Sequence, residues 1–273
     1  GSLNVRGCGG ELQRIEIGYV FISRKLDIMA LSETKLKGTG EVDFGEVVGR
    51  KSGVNESIRG QAGVALIVRR ELHKYVVEWK EICPRLMWVK MRFGNECWVF
   101  VSAYGPGSER SEEEIDCFWL ELKECILSFR TNEIVVVMGD LNARVGNDSI
   151  NDVMGKFGVD GVNESGERLL NMCGECGMSV GNTYFKKRMI HKYTWKKCVR
   201  GEMVERALMD YILVSNDKMS KCLDVNVLRG VTGGMSDHHL VECRMRVSIG
   251  RRSYRVKDDV REVLRIDQLS INV

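Results

Sequence analysis

Proline is nearly missing from this chain, two residues among 273, and no Ser/Gly-rich run or internal repeat appears. Linkers between domains are usually built from such segments, so nothing marks a hinge. Also missing is any stretch approaching the ~20 consecutive apolar residues of a membrane span, and the opening GSLNVRG contains no apolar signal region. No strong charge imbalance exists either: 41 Lys plus Arg face 38 Asp plus Glu, a formal net charge of +3. A polyanionic partner would therefore have to be met by a local patch, with only moderate long-range attraction.

What is present is a chain 44% hydrophobic, long enough for one large core. One α/β domain over residues 1–248 and a basic tail or linker over 249–273 is the expected organisation, the tail leading towards a following domain. Gly1-Ser2 reads as a trimmed end, with the chain starting inside its first strand. The ten cysteines do not suit a disulfide framework in a chain of this length, and are expected to be reduced and intracellular. Cys173 and Cys176 form a CxxC, but no second Cys/His pair stands at zinc-site spacing, so they read as small buried residues in a helix-to-strand corner.

Periodicity predicts the elements. Leu12, Ile15, Tyr19 and Ile22 give an amphipathic helix over Glu11–Lys25, and the run from Asp27 to Ser32 suits a buried strand. Strands follow at 63–69, 86–93 and 97–103, the last two joined across Gly94-Asn95 as a hairpin. Ser111 and Glu114 make a capping box for a helix over 111–129, with Ile115, Phe118, Leu122 and Ile126 on one face. The Ile/Val run from Glu133 to Met138 must be buried on both sides. A helix over 166–176 and strands at 193–196, 206–214, 223–228 and 239–246 complete the set. Hairpins outnumber βαβ spacings, which favours two mixed sheets packed face to face with helices outside.

Polar residues recur at strand ends. Asn4, Glu33, Tyr104, then Asp140 with Asn142, each follow an apolar run, and Asp237-His238 precede the last strand. Rigid scaffolds place reactive groups in such positions. Carboxylates, amides and one imidazole, without cysteine, suit a hard cation such as Mg²⁺. Asp210 lies within the apolar run Ala207–Val214, where a carboxylate is strongly disfavoured unless paired. His238 is a plausible partner, because a buried Asp raises the imidazole pKa and fixes its tautomer.

Asn4-Val5-Arg6-Gly7, Ser32-Glu33-Thr34-Lys35, Ala103-Tyr104-Gly105-Pro106, Gly139-Asp140-Leu141-Asn142-Ala143, Met209-Asp210-Tyr211-Ile212 and Ser236-Asp237-His238 occur in that order. Together they resemble the motif series of the endonuclease/exonuclease/phosphatase superfamily. The forms Gly139–Gly146, Gly181–Phe185, Tyr193-Thr194-Trp195 and Met209–Val214 resemble the apurinic-endonuclease-like enzymes of LINE-type (non-LTR, RTE-like) retrotransposons. Domesticated relatives of the craniofacial development protein 2 type share this style.

The resemblance implies a four-layer α/β sandwich of the DNase I type and a Mg²⁺-dependent endonuclease, with Mn²⁺ as a substitute. Such an enzyme nicks one DNA strand to leave a 3′-hydroxyl that primes reverse transcription and a 5′-phosphate. Asn4, Glu33 and Asp237 would hold the metal. Asp140 would activate water, Asn142 would bind phosphate, Tyr104 and His238 would donate hydrogen bonds to it, and Asp210 would hold His238. Thr194, Trp195, Lys196, Lys197, Arg200 and Arg206 would contact DNA from a hairpin, with 108–110 and 186–188 as further backbone contacts.

Arg6 stands where some repair-type relatives carry an Asp, leaving the metal surroundings less acidic. The implied partner is double-stranded DNA, with no membrane, for a monomeric domain. A fused reverse transcriptase is left open, and a nuclear location follows from the substrate alone. A same-fold phosphatase or RNA deadenylase, and a non-catalytic module, stand as the alternatives.

Overall fold

The computed structural model describes residues 1–248; the tail expected over 249–273 lies outside the described residues. In chain order the elements are β1 (Ser2–Asn4), α1 (Glu11–Ser23), β2 (Ile28–Ser32), β3 (Thr39–Asp43), β4 (Val48–Ser52), β5 (Val64–Val68), β6 (Val76–Cys83), β7 (Leu86–Phe93) and β8 (Glu96–Tyr104). Then come α2 (Glu112–Leu127), β9 (Ile134–Asp140), α3 (Glu164–Cys176), β10 (Met178–Val180), β11 (Trp195–Val199), β12 (Glu202–Ala207), β13 (Asp210–Ser215), β14 (Cys222–Leu228) and β15 (Leu240–Met245). One sheet has the order β14-β15-β1-β2-β5-β4-β3, the other β10-β13-β9-β8-β7-β6, and β11-β12 form a separate hairpin.

Strand alternation dictates the layers, because successive side chains face opposite sides. Met29 and Leu31 of β2 pack with Ile17, Val20 and Phe21 of α1. Ala30, one residue out of phase, joins Val89, Phe100 and Val136 between the sheets. On the far side Val99, Val101, Val135 and Val137 meet Ile115, Phe118 and Leu122 of α2 and Leu169 of α3. The result is the expected α/β/β/α sandwich with two mixed sheets.

The helices form where expected, with one face reversed. Ser111 Oγ accepts the Glu114 N–H at 3.3 Å to start α2, supplying the serine half of the expected capping box. Asn163 caps α3 in the same way and Gly177 at φ +63° ends it. In α1, however, Leu12, Ile15, Tyr19 and Ile22 are 77%, 43%, 72% and 40% exposed, and Ile17, Gly18, Val20 and Phe21 are buried. Gly18 decides this orientation: a Cβ there would stand 1.9 Å from the Phe44 carbonyl oxygen. The helix presses its glycine face onto the chain and leaves the more obvious apolar stripe outside.

The expected strand over 206–214 is two strands. It breaks at Leu208-Met209, between the end of β12 and the start of β13, so Asp210 opens a strand instead of interrupting one. The Cys173/Cys176 pair ends α3 just before β10, with Cys173 buried and Cys176 packed against the same core.

Topology gathers one rim. β1 runs parallel to β2 with Asn4 opposite Ser32, and β8 runs parallel to β9 with Tyr104 opposite Asp140. Antiparallel β13 places Asp210 opposite Asp140. The two sheets are pinned at this rim, where the Ser102 hydroxyl donates to the Leu31 carbonyl at 3.3 Å and the Asp140 N–H donates to Ser32 Oγ at 3.2 Å.

Candidate active site

Two carboxylates directly opposite each other on paired strands repel, and this cross-strand position normally disfavours like charges. Asp140 and Asp210 are also almost wholly buried, at 1% and 0% exposure. Their surroundings compensate. Asn4 Nδ2 donates to Asp140 Oδ2 at 2.8 Å and to Glu33 Oε2 at 3.2 Å, bracing one carboxylate against the other. Asp140 Oδ1 accepts the Asn142 N–H at 3.0 Å. Asp210 Oδ2 accepts from His238 Nδ1 at 2.9 Å, and the Asp210 N–H donates to Thr194 Oγ1 at 3.1 Å.

His238 enters from the loop before β15. Its N–H donates to Ser236 Oγ at 3.0 Å, and that hydroxyl donates to the Asn4 carbonyl at 2.7 Å, tying the loop to β1. With Nδ1–H committed to Asp210, Nε2 faces Asp140 Oδ2 at 3.8 Å and Asp237 Oδ1 at 3.9 Å. Burial alone would lower the imidazole pKa; the charges of Asp210 and Asp140 outweigh it and raise the group from 6.5 to about 9. Burial, followed by the Asp210 charge, pushes Asp140 from 3.8 up to about 7 against the opposing pull of His238. Tyr104, at the end of β8, has its hydroxyl pKa raised by burial and by the charges of Glu33 and Asp140, so it stays protonated as a donor.

Two groups of donors compete as a cation site. Asp140, Asp210 and His238 present ligand atoms within 4.8 Å of one another. All three are buried, and Asp210 Oδ2 and His238 Nδ1 already satisfy each other at 2.9 Å, although Asp210 Oδ1 has no partner. The mouth fits better. There the Glu33 and Asp237 side chains are 18% and 26% exposed, and Asp237 Oδ1 is a shielded oxygen without a hydrogen-bond partner. Oxygen donors of this kind suit a hard divalent cation, and the orphaned atom is one that such a cation would satisfy. Asn4, expected as a ligand, spends its oxygen on the Arg6 N–H at 2.9 Å and turns its amide nitrogen to the carboxylates; it braces the acidic pair.

The backbone at this rim is bent in an unusual way. Arg6, Glu33, Lys35 and Asn142 have φ of +51°, +52°, +55° and +50°. Left-handed conformations cost residues other than glycine about 1–3 kcal/mol each and concentrate at functional sites. Packing is also tight on the strand itself: a Cβ on Gly139, the residue before Asp140, would meet the Ala103 carbonyl oxygen at 1.7 Å.

The Endonuclease/Exonuclease/phosphatase family description matches residues 1–238. The chain belongs to that family. Craniofacial development protein 2 from Bos taurus is 26% identical over 250 residues, which is 91% of this chain and 41% of that protein. The Tragulus javanicus protein of the same name is 26% identical over 226 residues, 82% of this chain and 38% of its own length. The chain thus spans about two fifths of these curated relatives.

Among solved structures, the fold is similar to the endonuclease domain of TRAS1, a telomere-specific non-LTR retrotransposon. The TM-score is 0.63 at 16% identity, covering 90% of this chain and 97% of that one. The AP endonuclease LMAP from Leishmania major gives 0.64 at 16% identity, covering 90% and 86%.

Within this family member, Asn4, Glu33, Tyr104, Asp140, Asn142, Asp210, Asp237 and His238 all meet at one rim, whereas the expected DNA contacts divide. Thr194 is fully buried and its hydroxyl accepts the N–H groups of Met209 and Asp210 at 3.0 and 3.1 Å, so it positions Asp210 and cannot reach DNA. Trp195 donates Nε1–H to Asp237 Oδ2 at 3.1 Å, linking the hairpin to the mouth. Lys196 is half-buried, and Lys197, Arg200 and Arg206 are exposed on the hairpin; Arg206 stacks over Tyr193 at 4.2 Å. Lys187 is paired with Asp224 at 2.6 Å, and Arg110 is engaged with Glu109, Glu114 and Gln61.

Asn182 lies in the Gly181–Phe185 motif, but sequence reasoning gave it no role. Its amide donates to the Asp210 carbonyl at 3.1 Å and accepts the Ile212 N–H at 2.9 Å, fixing the start of β13. Its position after a short apolar run was the available signal.

Proposed function

We propose that this protein is a Mg²⁺-dependent endonuclease that nicks one strand of double-stranded DNA, leaving a 3′-hydroxyl and a 5′-phosphate, and that it serves a non-LTR retrotransposon in the nucleus. The observation that carries the reading is the buried Asp210–His238 pair at 2.9 Å facing Asp140, which Asn4 joins to Glu33. The likeness of the fold to a retrotransposon endonuclease domain supports the choice of DNA.

Glu33 and Asp237 would hold the cation, which supplies Lewis-acid polarisation of the phosphate and stabilises the leaving oxygen. Asp140, raised to about 7, is matched to taking a proton from water near neutral pH. The Asn142 N–H fixes Asp140 Oδ1, and its side-chain amide is anchored to the Gly105 carbonyl at 2.9 Å with one N–H left for phosphate. His238 Nε2–H and the Tyr104 hydroxyl donate where negative charge accumulates on the pentavalent phosphorus. Asp210 accepts from Nδ1–H and, by raising the imidazole to about 9, keeps Nε2 protonated as well near neutral pH, so the donation is available.

The test is nicking of supercoiled plasmid with Mg²⁺ or EDTA by the parent, Asp140→Ala and His238→Ala, beside poly(A) and inositol phosphate as substrates. Metal-dependent relaxation lost in both variants is expected. A folded, metal-loaded parent that leaves plasmid intact but hydrolyses another phosphoester would overturn the assignment.

A further inference from the structure

β14 buries a different residue from the one that plain strand alternation would choose. Its partners on β15 are Val241 for Val227, Cys243 for Val225, Arg244 for Asp224 and then Met245 for Cys222, so Leu223 is left over as a bulge. Alternation carried on from Val227 and Val225 would turn Leu223 to the core and Cys222 outwards. The bulge reverses the two: Leu223 is 46% exposed and Cys222 6%. Leaving a leucine in water to bury a thiol runs against the hydrophobic gain. Bulges are over-represented where a side chain is re-aimed for a purpose.

The thiol turned inwards completes a group of three sulfurs. Cys222 Sγ lies 3.6 Å from Cys243 Sγ, and Cys243 Sγ lies 3.3 Å from Met245 Sδ. Cross-strand pairing sets Met245 opposite Cys222, closing the triangle. Both cysteines are free thiols. The surroundings are apolar: Val214, Val225 and Val241 belong to the same core, and Met219 packs against it. Cys243 and Met245 also line a cavity of about 600 Å³, which opens the group to solvent. The acidic rim is elsewhere, since Cys243 stands five residues beyond His238, about 17 Å along extended chain.

We propose that Cys222, Cys243 and Met245 form a binding site for a soft monovalent cation, copper(I), separate from the hard-cation mouth and independent of the nuclease reading. Thiolate and thioether sulfur select such an ion, whereas carboxylates and carbonyls suit magnesium. Bonds of about 2.3 Å from three sulfurs to one ion space the sulfurs about 4 Å apart, so the two separations above widen by about half an ångström. A disulfide would join two of the sulfurs and leave the methionine idle; the ion uses all three. Loading moves no electron. Each thiol that ligates gives its proton to solvent as the copper–sulfur bond forms, and copper stays monovalent. The ion clips β14, at the edge of its sheet, to β15.

The experiment is anaerobic titration of the reduced protein with Cu(I) held by bicinchoninate, read by loss of the copper–bicinchoninate absorbance, with thermal melting alongside. The parent is expected to withdraw one Cu(I) per chain and to melt at a higher temperature when loaded. Cys222→Ala and Cys243→Ala lose that copper and the rise in Tm. Met245→Leu weakens binding at least about tenfold, the loss that even a partner outside the ligand shell causes. Cys198→Ala, on the exposed hairpin, changes nothing. X-ray absorption of the loaded parent shows three sulfurs at about 2.3 Å, a result that needs no variant to fold. No copper withdrawn, unaltered binding in Met245→Leu, or a shell of only two sulfurs overturns the inference. If the protein takes no copper while oxidised glutathione links Cys222 to Cys243 by mass spectrometry, the pair is a redox couple and the metal reading falls. None of these outcomes bears on plasmid nicking in Mg²⁺, so the two readings are tested separately.

Discussion

The substitution Asp210→Asn removes one charge from the most enclosed part of the site while keeping its shape. The His238 imidazole is held at about 9 from an ordinary 6.5 because Asp210 and Asp140 outweigh the burial that would lower it. That rise is equivalent to about 3 kcal/mol in favour of the imidazolium. With a neutral amide in place of the carboxylate, burial regains the upper hand and only the more distant Asp140 and Asp237, 3.8 and 3.9 Å from Nε2, oppose it. The expected result is a fall in the His238 midpoint towards or below its ordinary value, read from the imidazole carbon-bound proton signals by NMR in EDTA.

Because the folded pKa lies above the unfolded one, the stability conferred by this protonation is present in full below pH 6.5 and lost as pH rises through about 9. The stability difference between parent and Asp210→Asn should therefore be largest in mildly acidic buffer and shrink through that window. With the new amide donating to Nδ1, the neutral imidazole carries its one proton on Nε2 and can still donate, so nicking should drop about 10²-fold, the scale of weakening one transition-state donor, without being abolished. A midpoint that stays near 9 in the variant would show that Asp210 does not hold the proton.

Two further outcomes follow from surface and backbone. Neutralising Lys196, Lys197 and Arg200 to Gln should weaken duplex binding and reduce the slope of log affinity against log salt by up to about 0.9 for each DNA phosphate that is no longer neutralised; an unchanged slope would remove the hairpin from the DNA interface. Lys25 occupies the left-handed position after α1 at φ +52°, where its N–H donates to the Ile22 carbonyl and the Leu26 N–H to the Phe21 carbonyl. Glycine is the residue this ending favours. Lys25→Gly should stabilise the protein by about 1 kcal/mol and raise Tm by about 2–4 °C, and a lower Tm by calorimetry would contradict the strain argument.

The gathering of the candidate site residues at one rim was legible because several of them end or interrupt apolar runs: a carboxylate at Asp140 or Asp210 is conspicuous among valines and isoleucines. Where strands are half-exposed the signal fades. β3 and β4, with sequences TGEVD and VGRKS, carry little apolar alternation and gave no expectation of strands. α1 misled because Leu12, Tyr19 and their neighbours outrank Gly18 in hydrophobicity, whereas backbone approach to Phe44 decided which side turned inwards. Thr194 showed the same limit. Sequence placed it beside Trp195 among the expected DNA contacts, and only the break at Leu208-Met209 reveals that its hydroxyl is needed to receive two backbone donors.

The β11–β12 hairpin is rooted beside the candidate active site. Trp195 bridges to His238, the Lys196 N–H donates to the Asp237 carbonyl at 3.1 Å, and the His239 N–H donates to the Thr194 carbonyl at 2.7 Å. Beyond Lys197 the ladder shifts register and the strands project into solvent. The root is therefore held against His238 and the tip is free to vary, so under the proposed function a change of length or sequence beyond the register shift would alter which DNA is met without moving the histidine. Under the proposed function, preference for a cleavage site and competence to cleave would be separable along a single ribbon of chain, with the boundary between them at Lys197.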